Sequence, residues 1–305
     1  MFVESLNRSL RWTWLSNYSL VLLNEHAIFK YIIDAISTEL HNFGVPHSIQ
    51  DAGVPWQKDV TYMSTMLLAT RPRPPRYIIY NFEQLVTDSG YFGPGTLSQL
   101  QGALEVWDYS MVNVAFLQQQ HGLLARFVPL SYTPGMQQFD HATRKRLVDA
   151  SFIGCMNDRR NTLLGGLITA YEGRPKKLFI TKKGCFVSLG CFGNCLKRVY
   201  KDSRVGINMH YYGGKTVLEV HRILPYIANR VIVISERSDD AFYDGFLSNL
   251  VTYVRNADGM QSSIAYIASL STTDFDQLVN WRYELFKSLP SYANFLHQAL
   301  CAEVS

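Results

Sequence analysis

The feature that most constrains this chain is a repeated switch in the spacing of its apolar residues. SLVLL (19–23), ASFIG (150–154), KLFIT (177–181) and RVGINMH (204–210) are short β-rich runs. Each is followed by a stretch with apolar residues at helical spacing: 26–40, 159–173, 193–201 and 216–227 respectively. An extended run feeding a segment with a period of about 3.6 residues reads as a strand entering a helix. Strands and helices in alternation build βαβ units, and βαβ units build parallel sheets. VTYMSTMLL, YIIY (77–80), RFVPL (126–130) and RVIVIS (230–235) read as further strands, and 109–120 as a helix. RPRPPR (71–76) is a loop, because paired prolines suit neither a helix nor a central strand. GYFGPG (90–95) is turn-rich.

The segment PLSYTPGMQQFDH (129–141), rich in Pro, Gly and polar residues, separates two such blocks. A chain of 305 residues suits two domains. The expectation is an α/β protein with two Rossmann-like domains facing across a cleft. Residues 1–135 form the N-terminal domain, 136–275 the C-terminal domain, and 276–305 a closing helix interrupted at Pro290.

Hydrophobic residues at 47% and charged residues at 18% describe a folded globular chain. No apolar run reaches the ~18 residues needed to span a bilayer. Glu4 in the would-be basic leader, with no clean small-residue cleavage site after it, argues against a signal peptide. Cys155, Cys185, Cys191, Cys195 and Cys301 are odd in number and irregularly spaced, which suggests buried free thiols in a reducing, cytoplasmic setting. Cys185, Cys191 and Cys195 raise zinc, but no C-x-x-C and no fourth ligand accompany them. The net charge of +4 is uneven, since residues 144–204 hold 14 basic and 4 acidic side chains. Such a block can be a nucleic-acid footprint, the wall of a nucleotide site or a solvated surface.

The most informative segment is RVGINMHYYGGKTVLEVHR (204–222). A strand runs into a turn at Gly213 and Gly214, and a helix is expected from Thr216. Backbone N–H groups freed at such a turn, at the positive end of a helix, suit a phosphate. Lys215 and Thr216 look like the end of a P-loop, but Met209 stands where that loop needs its first glycine, so the motif fails. An ordinary βα turn is the plain alternative. Val217, Val220, Leu224 and Ile227 form the apolar face, which turns Glu219 and Arg222 away from the core. Glu219 then either accepts ribose hydroxyls or forms an i,i+3 pair with Arg222.

In SFIGCMNDRRN (151–161), Arg159 and Arg160 open a helix that Asn157 or Asp158 can cap. Two cations there oppose the helix dipole unless an anion joins them. They are therefore diphosphate ligands or surface residues. In YIIYNFEQL (77–85), Asn81, Glu83 and Gln84 follow a buried strand, at the edge where open α/β sheets gather ligands, though a structural role fits equally.

YIIYNFEQL, VWDYSMVNVAFL, FIGCMNDRRNTLL and above all VGINMHYYGGKTVLEVHRILPYIANRVIVISERSDD cover most of residues 76–240. In this order they resemble nucleotide-sugar-dependent glycosyltransferases of the GT-B architecture, similar to the group 1 glycosyltransferases. The resemblance implies a hexosyl- or pentosyltransferase that moves a sugar from a nucleoside diphosphate sugar to a hydroxyl of a glycan or small molecule. It implies that Glu219 holds the ribose and that Arg159 and Arg160, with Asn157, meet the diphosphate. His210, Tyr211, Gly213, Gly214, Lys215 and Thr216 would line the donor site. Tyr211 stands where many relatives carry a second glutamate. The N-terminal domain, compact for this fold, would hold the acceptor.

No cofactor is expected beyond the nucleotide sugar as co-substrate, and no metal, because no D-x-D-like pair sits at a predicted strand end of the basic block. An inverting enzyme needs a general base. His26, Asp51 and Glu83 are possible, with His26 and Glu83 carried as catalytic candidates. Two other classes compete. One is a domain that binds sugar nucleotides without transferring the sugar. The other is a nucleic-acid-binding protein, whose affinity would fall steeply with salt. The aromatics of the basic block are not interleaved with its charges as a stacking platform requires, so a nucleic-acid partner is not expected.

Overall fold

The computed structural model describes residues 19–24, 29–51, 55–65, 73–85, 92–139, 146–171, 177–180, 191 and 193–301. These divide into two compact units, one from the chain up to Thr133 together with Pro290 onward, the other from Pro134 to Leu289.

In the first unit, β1 (Ser19–Asn24), β2 (His47–Asp51), β3 (Val60–Ser64), β4 (Tyr77–Asn81), β5 (Glu105–Asp108) and β6 (Arg126–Phe127) form one sheet in the order β2-β1-β3-β4-β5-β6. Every pairing is parallel. A parallel sheet is covered on both faces, which is why β3 and β4 are buried along their whole length. Val21, Leu23, Tyr62, Ile79 and Leu117 pack together on one side of it. The connecting helices are α1 (Lys30–Asn42), α2 (Pro94–Gly102) and α3 (Met111–His121). Pro94 at the first position of α2 ends the GYFGPG loop as a helix start. The expected strand RFVPL is paired only at Arg126 and Phe127.

In the second unit, β7 (Val148–Phe152), β8 (Lys177–Ile180), β9 (Ser203–Asn208), β10 (Ile232–Glu236) and β11 (Val251–Val254) form a parallel sheet in the order β11-β10-β9-β7-β8. Here the helices are α4 (Asp158–Tyr171), α5 (Asn194–Asp202), α6 (Val220–Ala228), α7 (Ala241–Phe246), α8 (Ala257–Ser269) and α9 (Thr272–Ser288). Ala150, Phe152, Val205, Ile207, Ile232 and Ile234 pack with Ile264, Phe275 and Val279 in its core. The chain runs from β7 outward to β8, then returns to β9 on the other side. In open α/β sheets ligands collect at the carboxyl ends of the strands beside such a reversal.

Three expectations are corrected. The closing helix is two helices, α9 and α10 (Tyr292–Cys301), because Pro290 cannot continue the first. α10 belongs to the first unit, packs on α1, and is tied there by Tyr292 N–H donating to Tyr132 C=O at 3.0 Å. The helix after the glycine turn starts at Val220 rather than Thr216, with Glu219 as its N-cap residue. Finally, the free-thiol reading holds for Cys301, which is free and half-buried, but fails for three others: Cys191 and Cys195 form a disulfide with Cα atoms 5.0 Å apart, and Cys155 is disulfide-bonded too. Gly193, between the two, has φ 55°, a backbone conformation that L side chains rarely adopt. A disulfide supplies no thiolate for zinc, and it removes the cysteine argument for a reducing compartment. Cys185 and the apolar N-terminal stretch lie outside the described residues. Among the described residues no helix is long and apolar enough to cross a membrane.

One glycine is fixed by packing. The ring of Tyr226 on α6 lies flat on Gly206 in β9, and a Cβ there would meet three ring atoms at 2.7 Å. Gly206→Ala should cost about 1–3 kcal/mol by overpacking. Thermal unfolding followed by circular dichroism should show a lower midpoint, and an unchanged midpoint would mean the ring yields.

Candidate functional site

The carboxyl ends of β7, β9 and β10 converge on a buried polar cluster. Its centre is Glu219. The Glu219 Oε2 accepts from Asn208 Nδ2 at 2.9 Å and from His210 Nδ1 at 3.0 Å, while Oε1 faces Arg160 Nη2 at 3.4 Å. Residues 216–219 are not helical, so the Glu219 side chain lies back toward β9 instead of pointing off an exposed helix face. The sequence expectation that Glu219 and Arg222 face away from the core is therefore overturned. Arg222 does not pair with Glu219 but donates to Asn208 Oδ1 at 2.7 Å. The carboxyl is held well below its usual pKa: burial opposes this, but His210, Arg222 and Arg160 outweigh it.

Arg160 is 1% exposed and bonded at every nitrogen, which a surface or solvent-facing ligand residue would not be. Nε and Nη2 donate to the Met209 carbonyl, Nη1 to Cys155 C=O at 2.8 Å, and the guanidinium lies over the rings of Phe152 and Tyr211. Burial, then Arg222, lower its pKa to about 9, so it remains charged at neutral pH. Asn157 caps α4 through Oδ1, which accepts from Arg160 N–H at 2.9 Å, and its Nδ2 donates to Tyr211 C=O at 2.6 Å. Gly154 stands close by because a Cβ would come within 3.3 Å of both Arg222 and Arg160.

His210 joins this cluster to a cavity. Nδ1 faces the Glu219 carboxylate and Nε2 faces Arg237 C=O at 2.9 Å. Neither partner can donate, so both ring nitrogens donate and the ring is an imidazolium. Burial works against that charge, but Glu219, the Arg237 carbonyl and Glu236 raise the pKa above its ordinary value. The backbone takes part as well. His210 N–H donates to Glu236 Oε2 at 2.9 Å, and His210 C=O accepts from Arg159 Nη1 at 2.8 Å. Arg159 and Glu236 then close a two-pronged pair at 2.6 and 2.9 Å.

The cavity occupies about 330 Å³ over the ends of β9, β10 and β11, and Arg159, His210, Gly213, Gly214, Thr216 and Glu236 line its inner side. Arg237, Ser238, Asp239, Val254 and Arg255 complete it. Its glycine loop is latched to the loop after β10: Thr216 N–H donates to Asp239 Oδ2 at 2.7 Å and Asp239 N–H donates to Thr216 C=O at 3.0 Å. Gly214, at φ 73°, makes the turn in the left-handed region.

Five expected donor-site residues thus line the cavity: Arg159, His210, Gly213, Gly214 and Thr216. Asn157, Arg160, Tyr211 and Glu219 build the wall behind it, and Lys215 is exposed beside it. Sequence reasoning missed Glu236, Asn208 and Arg255. The first two could have been found, since each is a polar residue ending a buried apolar strand, VIVISE and VGIN. Nothing around Arg255 announced it.

The basic block is not one surface. Arg146 donates to the carbonyls of Tyr200, Lys201 and Arg230, and Arg204 to those of Ile267 and Leu270. Both fasten loops. In the first unit, Glu83 follows β4, where the buried side chains of Asn81 and Asn113 both donate to its carbonyl at 2.8 Å and both donate to Asp108. Asp51 is exposed at the end of β2, and His26 lies outside the described residues.

No protein-family model and no curated protein matches the chain. Solved structures do. WaaG, a glycosyltransferase involved in lipopolysaccharide biosynthesis, aligns over 92% of this chain and 98% of its own, at TM-score 0.59 and 8% identity. HepE from Anabaena in complex with UDP-glucose aligns over 92% and 98%, at TM-score 0.55 and 9% identity. Sucrose-phosphate synthase from Thermosynechococcus elongatus aligns over 92% and 97%, at 0.53 and 10%. The fold of this chain is the GT-B fold of those glycosyltransferases.

The raised pKa of His210 has a consequence for stability. Its contribution is complete below the unfolded value of about 6.5 and fades as pH rises through the higher folded value. His221, half-buried and pushed down to about 3 by desolvation and Arg222, acts the other way, costing stability below about 6.5. Denaturant unfolding across pH should show His210→Gln losing the alkaline slope while keeping the acid one. An alkaline slope retained in the variant would mean His210 is neutral.

Proposed function

We propose that the chain transfers a glycosyl group from a nucleoside diphosphate sugar to an acceptor hydroxyl. The observation that carries this reading is the cationic cavity at the strand ends of the second unit, in a GT-B fold. A departing nucleoside diphosphate develops negative charge, which preorganised donors stabilise. Arg159, Arg237, Arg255 and the N–H groups of the Gly213–Gly214 turn are the donors that border the cavity. The Arg160–Glu219–His210 cluster keeps that wall rigid, and rigid donors need no reorganisation as charge develops.

Transfer in this reading is metal-independent. The cavity's two carboxylates are already engaged, Glu236 by Arg159 and Asp239 by Thr216, so fixed cations carry the charge that a divalent ion carries elsewhere. The acceptor belongs to the first unit, and Glu83, its backbone clamped through Asn81 and Asn113, is the candidate general base.

The test is calorimetry with a panel of UDP-, GDP-, ADP- and CDP-sugars, followed by transfer assays in EDTA. The expected outcome is donor binding that Arg159→Ala weakens by about 1.5–3 kcal/mol, the worth of a charged hydrogen bond, and transfer that survives EDTA. A folded protein that binds no member of the panel would contradict the reading, and activity lost to EDTA and restored by Mn²⁺ would contradict its metal independence.

A further inference from the structure

We propose that the Cys191–Cys195 disulfide is a redox site, opened and closed by exchange with an external thiol. It is separate from the donor cavity and from the function proposed for it. The two sulfurs are unequally placed. Cys191 is buried, whereas Cys195 is exposed in the first turn of α5.

The bond adds little that α5 lacks. The two cysteines are only four positions apart. A cross-link stabilises chiefly by restricting the unfolded chain, and least when the loop it closes is short. α5 is already held through its later residues. Val199 and Tyr200 are buried, and the Tyr200 ring meets the Tyr226 ring edge-on at 5.2 Å. Arg146 Nη1 donates to the carbonyls of Tyr200 and Lys201 at 2.6 and 3.1 Å. The disulfide sits at the opposite end of the helix.

That end favours the reduced state. The N-cap residue Gly193 gives α5 no side-chain cap, and no acidic residue stands in the first turn. Backbone N–H groups at such an end stabilise an anion, and so does a nearby guanidinium. Arg198 is exposed and stands three residues after Cys195, on the same helix face. A thiolate on Cys195 is thus the anion that this helix start lacks, and stabilising the reduced form makes a disulfide easier to reduce. In the exchange, an external thiolate attacks the exposed Cys195 Sγ. A mixed disulfide forms as the bond to Cys191 breaks, and Cys191 leaves with the electron pair and takes up a proton. A second external thiolate attacks the external sulfur of the mixed disulfide and releases Cys195. Two external thiols become one disulfide, and the protein pair gains two electrons and two protons. Oxidation runs the same steps backward, with Cys191 as the attacking thiol.

The test places the full chain in a series of buffers running from oxidised to reduced glutathione, with circular dichroism recorded in each. After an acid quench and alkylation, mass spectrometry of the peptides reads the state of each cysteine. The pair should pass from oxidised to reduced within the series while the chain stays folded. In the reduced, folded chain, iodoacetamide should modify Cys195 at least about tenfold faster than Cys301, which is free and half-buried. In Cys191→Ser, which has lost the attacking partner, Cys195 should be trapped as a mixed disulfide with glutathione. A pair that keeps one state throughout the series, or that is reduced only where the folded signal is lost, overturns the inference. Cys195 modified no faster than Cys301 also overturns it, as does a folded Cys191→Ser variant that forms no mixed disulfide. None of these readouts depends on donor binding, so their failure leaves the donor reading standing.

Discussion

The second unit is organised around one largely enclosed carboxylate. Glu219 has the Asn208 amide, the His210 ring and Arg160 around its two oxygens, and none of these partners belongs to its own helix. A charge removed from water is tolerated only when it is paired and hydrogen-bonded, and removing one partner of such a group typically costs about 3–5 kcal/mol. The cluster therefore joins the end of β9, the start of α4 and the entry to α6. It also explains why α6 begins late: the non-helical stretch 216–219 lets the side chain turn inward, and the same stretch holds Thr216 against Asp239 at the cavity.

From that centre the cavity is built outward through His210. Its ring bridges Glu219 and the Arg237 carbonyl, and its backbone holds Glu236 and Arg159 at the cavity. A charged ring fixed at both nitrogens cannot rotate without losing a bond. The Arg159–Glu236 pair is consequently positioned by a residue that itself is positioned by Glu219.

Much of the fold was legible in the sequence because it is written in spacing. Runs such as SLVLL, YIIY and RVIVIS are too short and too apolar to be anything but buried strands, and the helical segments between them dictate parallel pairing. The candidate site was legible in part. The glycine turn, Arg159 and His210 stand out locally because their chemistry is local. The role of Arg160 does not, since its carbonyl partners Met209 and Cys155 are fixed only when β7 and β9 lie side by side. Adjacent arginines look alike in a sequence, yet one enters the wall and the other faces the cavity. The same limit applied to Cys191 and Cys195, whose pairing is a matter of three-dimensional placement, and to Arg146 and Arg204, whose charges serve carbonyls at helix ends.

In the function proposed above, the wall made by Arg159, His210 and Glu236 encloses a nucleoside diphosphate. Hydrogen–deuterium exchange of the full chain, with and without saturating UDP or GDP, tests it most directly. Slowed exchange is expected in peptides spanning 209–216 and 236–239 with at least one of the two nucleotides. Exchange unchanged in both segments, with protection confined to other parts of the chain or absent under both nucleotides, would contradict it.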